Sequence, residues 1–372
     1  MKIIIGADIV PTESNEEFFS AGNTEKLIGK ELISLLQSAD FRVFNLEVPL
    51  TDKETPIKKN GPTLLASTKT VAGIKKIGAD LLTLANNHIM DQGKQGLDST
   101  IDVLNKNAIS YVGAGECLSK LKHSYVIKNR NYKVGIYACA EHEFSIAEEN
   151  KAGANPFDPL ESLDHINSLK KECDYVIVLY HGGKEHYRYP SPLLQKVCRK
   201  MVEKGANIVI TQHSHCIGCE EKYRDGVIIY GQGNFLFDRS KSEYWQTSLL
   251  IQLKLNKHGI NVEYIPLRKT DNAVRKADKD DGKSILKEFN ERSEEIKNDK
   301  FIKQYYHKFA VEMQQVYINS LYGIGLIFRM MNKLCGHKLE KKVFERKKLL
   351  LKNCIECEAH RELLLEGMKD SY

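Results

Sequence analysis

Six apolar runs in this sequence each end in polar residues, and this recurring pattern limits the possible fold most. The runs are rich in Ile, Val and Leu and are continuous rather than alternating, which is typical of strands covered on both faces. The polar residues that follow them are Asp8; Asn45 and Glu47; Asn86, Asn87 and His88; His181; His213 and His215; and Asn234. Helical patterns such as 93–107 and 192–204 lie between the runs. This alternation predicts an α/β layered domain with much parallel pairing.

The polar residues are predicted to meet in one crevice, because α/β sheets bind ligands at the carboxyl ends of their strands. Each residue alone has an ordinary structural explanation; Asp8, for example, suits a turn. One shared site explains all of them more simply than six unrelated turns do. In His213-Ser214-His215, a period of two is expected to place both imidazoles on one side of a strand end. Carboxylate, amide and imidazole groups together predict a divalent transition metal site.

Three regions are predicted along the chain. Residues 1–270 form the α/β domain, closed by an antiparallel pair at 247–255 and 261–267. Residues 271–283 are charged and poor in apolar side chains, and are predicted to be a linker. Residues 284–372 carry Leu, Lys and Glu at helical spacing, which predicts a helical appendage.

Composition limits the functional classes. The net charge is +6, and the surplus of Lys and Arg between Lys333 and Lys352 accounts for it, so a nucleic-acid partner is not expected. Nine Cys are scattered through the chain, and the N-terminal apolar run is far shorter than a signal-peptide core. These features predict a reducing, cytoplasmic location.

The motifs, taken in order, resemble the CapA family of poly-γ-glutamate capsule synthesis proteins, a branch of the calcineurin-like metallophosphoesterases. They are Gly6-Ala7-Asp8, Asn45-Leu46-Glu47-Val48-Pro49, Asn86-Asn87-His88, His181-Gly182-Gly183, Gln212-His213-Ser214-His215 and Tyr230-Gly231-Gln232-Gly233-Asn234. The match spans residues 3 to 267. The resemblance implies an αββα sandwich of two mixed sheets, here with a C-terminal helical appendage, and a site for two divalent transition metal ions such as Mn, Zn or Fe.

The resemblance also implies roles for individual residues. The metal ligands would be Asp8 and His215 for one ion, Asn87, His181 and His213 for the other, and Glu47 for both. His88 would be the catalytic group, as a general acid or as a clamp on the leaving oxygen of the substrate. The chain departs from the superfamily's usual Asp-x-His motif, because Ile9 and Val10 follow Asp8. One ligand of the first metal is therefore missing.

Six polar residues are predicted to contact the substrate: Asn45, Glu141, His142, Glu185, Arg188 and Asn234. Of these, Glu141 and His142 end a predicted strand, and Glu185 and Arg188 follow His181. A guanidinium group suits phosphate or carboxylate. The expected substrate is accordingly anionic, either a small molecule or a polymer precursor.

These observations predict a cytoplasmic metal-dependent hydrolase, a phosphoesterase of capsule or cell-surface polysaccharide biosynthesis. Two alternatives stay open: a γ-glutamyl amide hydrolase or transferase of poly-γ-glutamate metabolism, and a non-catalytic accessory protein with a degenerate site. The apolar stretch 318–331, followed by basic residues, predicts either packing against protein or contact with an anionic membrane or the capsule machinery.

Overall fold

The computed structural model describes residues 1–321, 325–336 and 349–369, in two compact units, Met1–Lys303 and Gln304–Tyr372. The strands are β1 Lys2–Val10, β2 Phe41–Leu46, β3 Leu81–Thr83, β4 Ser110–Val112, β5 Ala114–Gly115, β6 Ser124–Lys128, β7 Lys133–Ala140, β8 Gly153–Ala154, β9 Tyr175–His181, β10 Ile208–Gln212, β11 Ile217–Tyr223, β12 Gly226–Gln232, β13 Asn234–Phe237, β14 Thr247–Asn256, β15 Gly259–Thr270 and β16 Ala273–Lys276. The helices are α1 Glu16–Ser20, α2 Thr24–Gln37, α3 Val71–Ile77, α4 Gly93–Lys106, α5 Ser162–Glu172, α6 Pro192–Glu203, α7 Lys279–Glu295, α8 Asp299–Leu321, α9 Leu326–Leu334 and α10 Glu358–Lys369.

Two large sheets form the first unit. One has the order β16-β15-β14-β1-β2-β3-β4, with β13 also paired to β1, and the other has the order β11-β12-β10-β9-β7-β6. In the first sheet, β1 to β4 are parallel, whereas β14 to β16 join antiparallel. In the second, β7, β9, β10 and β12 are parallel, and β6 and β11 are antiparallel edges. The prediction of two mixed sheets with helices is confirmed.

Alternate residues of β9 belong to two different cores. Ile177 and Leu179 pack in the core that also contains Ile5 of the first sheet. Val178 lies in a second core with Ile166 of α5. Because side chains alternate along a strand, β9 buries both faces, which explains its unbroken apolar sequence.

The stretch 271–283 differs from the predicted linker. Its first part forms β16, which pairs with β15, and α7 begins at Lys279 with the Asp278 side chain accepting from two backbone amides of the first turn. Phe289 of α7 is buried, with its ring 4.7 Å from that of Tyr264. The first unit therefore continues to Lys303, beyond the predicted boundary at 270.

The second unit is helical where it is described. It contains the end of α8, together with α9 and α10. The predicted apolar stretch 318–331 includes residues 322–324, and the basic stretch after it includes residues 337–348; both sets lie outside the described residues. Among the described residues, no helix has the length and apolar character that a membrane crossing requires.

Candidate metal centre

The predicted strand-end residues lie side by side at the carboxyl edges of the two sheets. In the parallel register, Asp8 is paired with Asn45, and Asn45 with Thr83. In the second sheet, His181 is paired with Gln212. The Nδ2 atom of Asn45 lies 3.4 Å from Nδ1 of His181, so the two edges meet. The predicted convergence at the carboxyl ends follows from the parallel pairing.

Glu47, His213 and His215 form the centre of this group. Each offers one ligand atom, these atoms lie within 4.8 Å of one another, and all three residues are buried. Oε2 of Glu47 and Nδ1 of His213 are buried without a hydrogen-bond partner, and Oε1 of Glu47 has only Nε2 of His181 nearby, at 3.2 Å. Buried polar atoms are normally satisfied, because leaving them unpaired costs about 1–3 kcal/mol each. Unpaired carboxylate and imidazole atoms around one point fit a divalent cation.

Asp8 lies on the His215 side of this centre. Its Oδ1 accepts a hydrogen bond from Asn45 Nδ2 at 2.7 Å, and its Oδ2 lies 3.7 Å from His215 Nδ1. That same Nδ1 donates to Oδ1 of Asn234 at 2.8 Å. Because Nδ1 donates here, Nε2 of His215 is the ring nitrogen that can bind a metal.

His181 and Asn87 lie on the other side of Glu47. The Nε2 atom of His181 is 3.0 Å from Asn87 Oδ1 and 3.2 Å from Glu47 Oε1. Its ring centroid is 4.9 Å from that of His213. Ligands of one ion at about 2.1 Å are about 3 Å apart, so these spacings suit a shared cation.

The two histidines after β10 meet for a reason other than the predicted one. The strand ends at Gln212, so His213 and His215 lie beyond it. Both adopt left-handed backbone conformations, with φ of 87° and 52°. Such conformations are unfavourable for residues other than Gly, by about 1–3 kcal/mol each, and they cluster at functional sites. The turn, rather than strand alternation, brings the two imidazoles to Glu47.

The charges in the site are strongly coupled. Burial and the nearby charge of Glu47 raise the pKa of Asp8. Burial acts in the same direction on Glu47, but His181 and His215 outweigh it and hold the pKa of Glu47 well below its usual value. Burial opposes protonation of both His215 and His181, yet the carboxylates raise the pKa of His215 to about 9 and raise the pKa of His181. Burial lowers the pKa of His213. Without a cation, protons on His181 and His215 thus balance the charge of Glu47.

His88 is held by residues that the sequence did not reveal as part of the site. Its Nδ1 lies 2.5 Å from Oδ2 of Asp91, whose other oxygen accepts from Nζ of Lys59 at 2.6 Å. Asp91 follows His88 by three residues, which is a detectable signal. Lys59 lies in an irregular stretch and gives none.

The predicted substrate residues have different surroundings. Asn45 and Asn234 are buried and contact Asp8 and His215 directly. Glu141 lies close to Gly182, just after His181, and burial raises its pKa. The structure thus brings Asn45 and Asn234 against the candidate ligands and places Glu141 beside the residue that follows His181.

The remaining three lie farther out. His142 is exposed and Glu185 is half-buried. Arg188 is engaged by protein groups, because Nη1 donates to the carbonyl of Ile217 at 3.1 Å and its guanidinium lies over the ring of Tyr244. Their contact with a substrate stays a prediction.

Three further side chains, Glu143, His186 and Trp245, border the centre, and of these Trp245 was not predicted from the sequence. Glu143 Oε1 lies 3.7 Å from Nε2 of His213. The Trp245 ring lies 4.7 Å from that of His215, and its Nε1 donates to Nε2 of His186 at 2.8 Å. Since Trp245 is separated from the motifs in sequence, only folding reveals its position.

Residues 3–239 match the family model described as bacterial capsule synthesis protein PGA_cap. The capsule biosynthesis protein CapA of Bacillus anthracis is 31% identical over 242 residues, covering 62% of this chain and 59% of that protein. The PGA biosynthesis protein CapA of Bacillus subtilis is 30% identical over 267 residues, covering 70% of each chain. This chain therefore spans less than two thirds of the B. anthracis relative.

Solved structures give a weaker likeness. A phosphatase from Mycoplasma pneumoniae aligns with a TM-score of 0.46 and 16% identity, covering 73% of this chain and 94% of that one. A 5'-nucleotidase precursor from Thermus thermophilus aligns with a TM-score of 0.44 and 13% identity, covering 78% of this chain and 58% of that one.

Proposed function

This chain belongs to the family of bacterial capsule synthesis proteins PGA_cap, and from that premise we propose that it is a metal-dependent hydrolase of phosphoesters in capsule or cell-surface polysaccharide biosynthesis. The observation that carries the proposal is the group of unpaired buried atoms, Oε2 of Glu47 and Nδ1 of His213, beside His215. Such a group is costly to keep unless a cation completes it.

The donor set supports a site for two divalent ions. The proposed ligands are Asp8 and His215 for one ion, Asn87, His181 and His213 for the other, and Glu47 for both. Two such ions would supply polarisation of a phosphoryl oxygen and a nucleophile at neutral pH. Imidazole with carboxylate suits Mn, Zn or Fe.

His88 is the proposed general acid. An ionised Asp91 can only accept, so Nδ1 of His88 carries a proton toward it and Nε2 is the ring nitrogen left for the substrate. In the doubly protonated ring, Nδ1–H is held by Asp91 and Nε2–H faces the substrate, so Nε2 can give its proton to a leaving oxygen and leave His88 as the neutral Nδ1–H tautomer. Asn234 has a buried Nδ2 without a partner, which would donate to an anionic group of the substrate.

The test is a panel of phosphomonoesters and phosphodiesters, including sugar phosphates, with protein loaded with Mn²⁺ or Zn²⁺. We expect hydrolysis by the wild type and by His258→Ala, a control at an exposed histidine, and its loss in His213→Ala. Metal-loaded protein without activity on the whole panel would contradict the phosphoesterase proposal.

A second candidate keeps the metals and changes the bond that is cleaved. One relative is named for PGA biosynthesis, which favours a γ-glutamyl amide as the substrate. The ions could polarise an amide carbonyl as well. Release of glutamate from poly-γ-glutamate, without phosphoester hydrolysis, would support this candidate.

Location and partners are also proposals. We propose a cytoplasmic protein that acts on an anionic small molecule or polymer precursor, with the C-terminal region contacting the membrane or the capsule machinery. Flotation with anionic and neutral vesicles tests the membrane contact. Binding to anionic vesicles alone is the expected result, and equal absence from both would contradict it.

A further inference from the structure

Lys59 is a buried cation next to the candidate catalytic residue. It belongs to an irregular loop, residues 51–65, which is closed at its base by a bridge between Leu50 and Ala66. The Lys59 side chain is 3% exposed, and its ammonium group forms an ion pair with Asp91, whose side chain is fully buried. A charged pair this deep is unusual, because both charges have lost their hydration.

The ammonium group contacts both residues of the Asn87–His88 pair. Its Nζ donates to the backbone carbonyl of Asn87 at 3.2 Å and lies 3.5 Å from Nδ1 of His88. The carbonyl of Asn87 also accepts from Ser145 Oγ at 2.7 Å. The peptide between the proposed metal ligand and the proposed acid is therefore held from two directions.

The same carboxylate connects the loop to His88. Asp91 Oδ2 accepts from Nδ1 of His88 at 2.5 Å and from the amide of Leu64 at 2.6 Å, while Oδ1 accepts from Lys59. The Asp91 carbonyl accepts from the amide of Ile57. An ammonium group only donates, so Nδ1 of His88 has Asp91 as its acceptor.

These contacts fix the positions of the side chains around His88 more than they stabilise the fold. A buried ion pair contributes little net stability compared with apolar residues of the same volume. Here the ion pair fixes the Asp91 carboxylate, the orientation of the His88 imidazole and the path of the loop 51–65. We propose that Lys59 is a positioning residue, which holds Asp91 and the Asn87 carbonyl so that His88 presents Nε2 to the substrate. This rests on the proposed function of His88.

The variants are Lys59→Met, which keeps the length and removes the charge, and Lys59→Arg, which keeps the charge. Lys58→Met is the matched control, because Lys58 is adjacent and exposed. With metal-loaded protein and a dialkyl phosphodiester from the panel, whose alkoxide leaving group needs a proton, we expect Lys59→Met to lower kcat about tenfold or more. KM and metal content should stay unchanged, since Lys59 contacts no proposed ligand atom. Lys59→Arg should recover part of kcat. A kcat of Lys59→Met equal to that of the wild type and Lys58→Met would overturn the proposal.

A second measurement is independent of activity. With ¹⁵N-labelled histidine, at a pH where the ring is neutral, NMR should show wild-type His88 as the Nδ1–H tautomer, which is the form left after Nε2 has given up its proton. The Nε2–H tautomer should appear in Lys59→Met and not in Lys58→Met. If the wild type hydrolyses no phosphodiester, the proposed function fails, and this tautomer shift alone still decides the role of Lys59. An unchanged tautomer overturns it. If Lys59→Met does not fold, a nuclear Overhauser contact between the Lys59 ammonium and the His88 ring in the wild type supports the proposal, and its absence overturns it.

Discussion

Metal binding at the Glu47–His213–His215 group should release a proton, and its affinity should therefore depend on pH. In the metal-free protein, Glu47 and Asp8 raise the pKa of His215 to about 9. At neutral pH a cation must displace that proton to reach the ring. Each displaced proton changes the apparent affinity about tenfold per pH unit. Because His215 is still half protonated at pH 9, raising the pH from 7 to 9 should tighten binding about fiftyfold.

The same shift affects the metal-free fold. The pKa of His215 lies above its ordinary value of 6.5, so the proton stabilises the folded state. That contribution is fully present below about pH 6.5 and is lost as the pH rises through about 9. A shift of this size corresponds to roughly 3 kcal/mol. Metal binding replaces the lost proton, so the stabilisation by metal should grow over the same pH range.

Isothermal titration with Mn²⁺ in two buffers of different ionisation enthalpy measures the protons released directly. We expect at least one proton per site at pH 7 and fewer above pH 9. In Asn234→Ala, which removes the acceptor of His215 Nδ1, proton release should end at a lower pH. Binding with no proton release and equal affinity at pH 7 and 9 would refute the assignment of a protonated His215.

Three further predictions follow from single contacts. His213→Ala should lose metal while keeping its secondary structure, as shown by metal analysis and circular dichroism; retained metal would contradict its role. Arg292→Met should cost about 2–3 kcal/mol in urea unfolding, because the buried Arg292 Nε donates to the Gly218 carbonyl at 2.8 Å; an unchanged midpoint would contradict this. Gly218→Ala should prevent stable folding, since an added Cβ would lie 1.6 Å from the Tyr230 carbonyl oxygen. Gly367→Ala, where an added Cβ meets no atom of the described residues within 4 Å, serves as the control in expression and thermal melts.

The sequence predicted the ends of β2 and β9 well, because a strand buried on both faces is apolar until it ends, whereas β1 continues past Asp8 to Val10. β9 shows this clearly: its apolar residues stop at His181, where the site begins. The placement of Asp8 beside Asn45 then follows from parallel pairing. Local composition was enough to predict these strand ends, because the residues of a doubly covered strand are apolar along its own length.

Prediction from the sequence was wrong where contacts between residues distant in the chain determine the structure. The charges of residues 271–283 suggested a solvated linker, but Arg268 donates to Asp281 and Lys276 pairs with Glu31, so the charges dock the segment. The contact between Lys59 and Asp91 likewise depends on the path of an aperiodic loop. Neither arrangement leaves a periodic signal in the sequence.

Metal content decides whether the residues around Glu47 bind two ions. Protein purified without chelator and loaded with Mn²⁺, Zn²⁺ or Fe²⁺ in turn would be measured by mass spectrometry, for the wild type, Asp8→Ala, His213→Ala and the exposed control His258→Ala. We expect two ions per chain in the wild type and the control, with losses in both site variants. Wild-type protein that binds no metal under any loading condition would contradict the account.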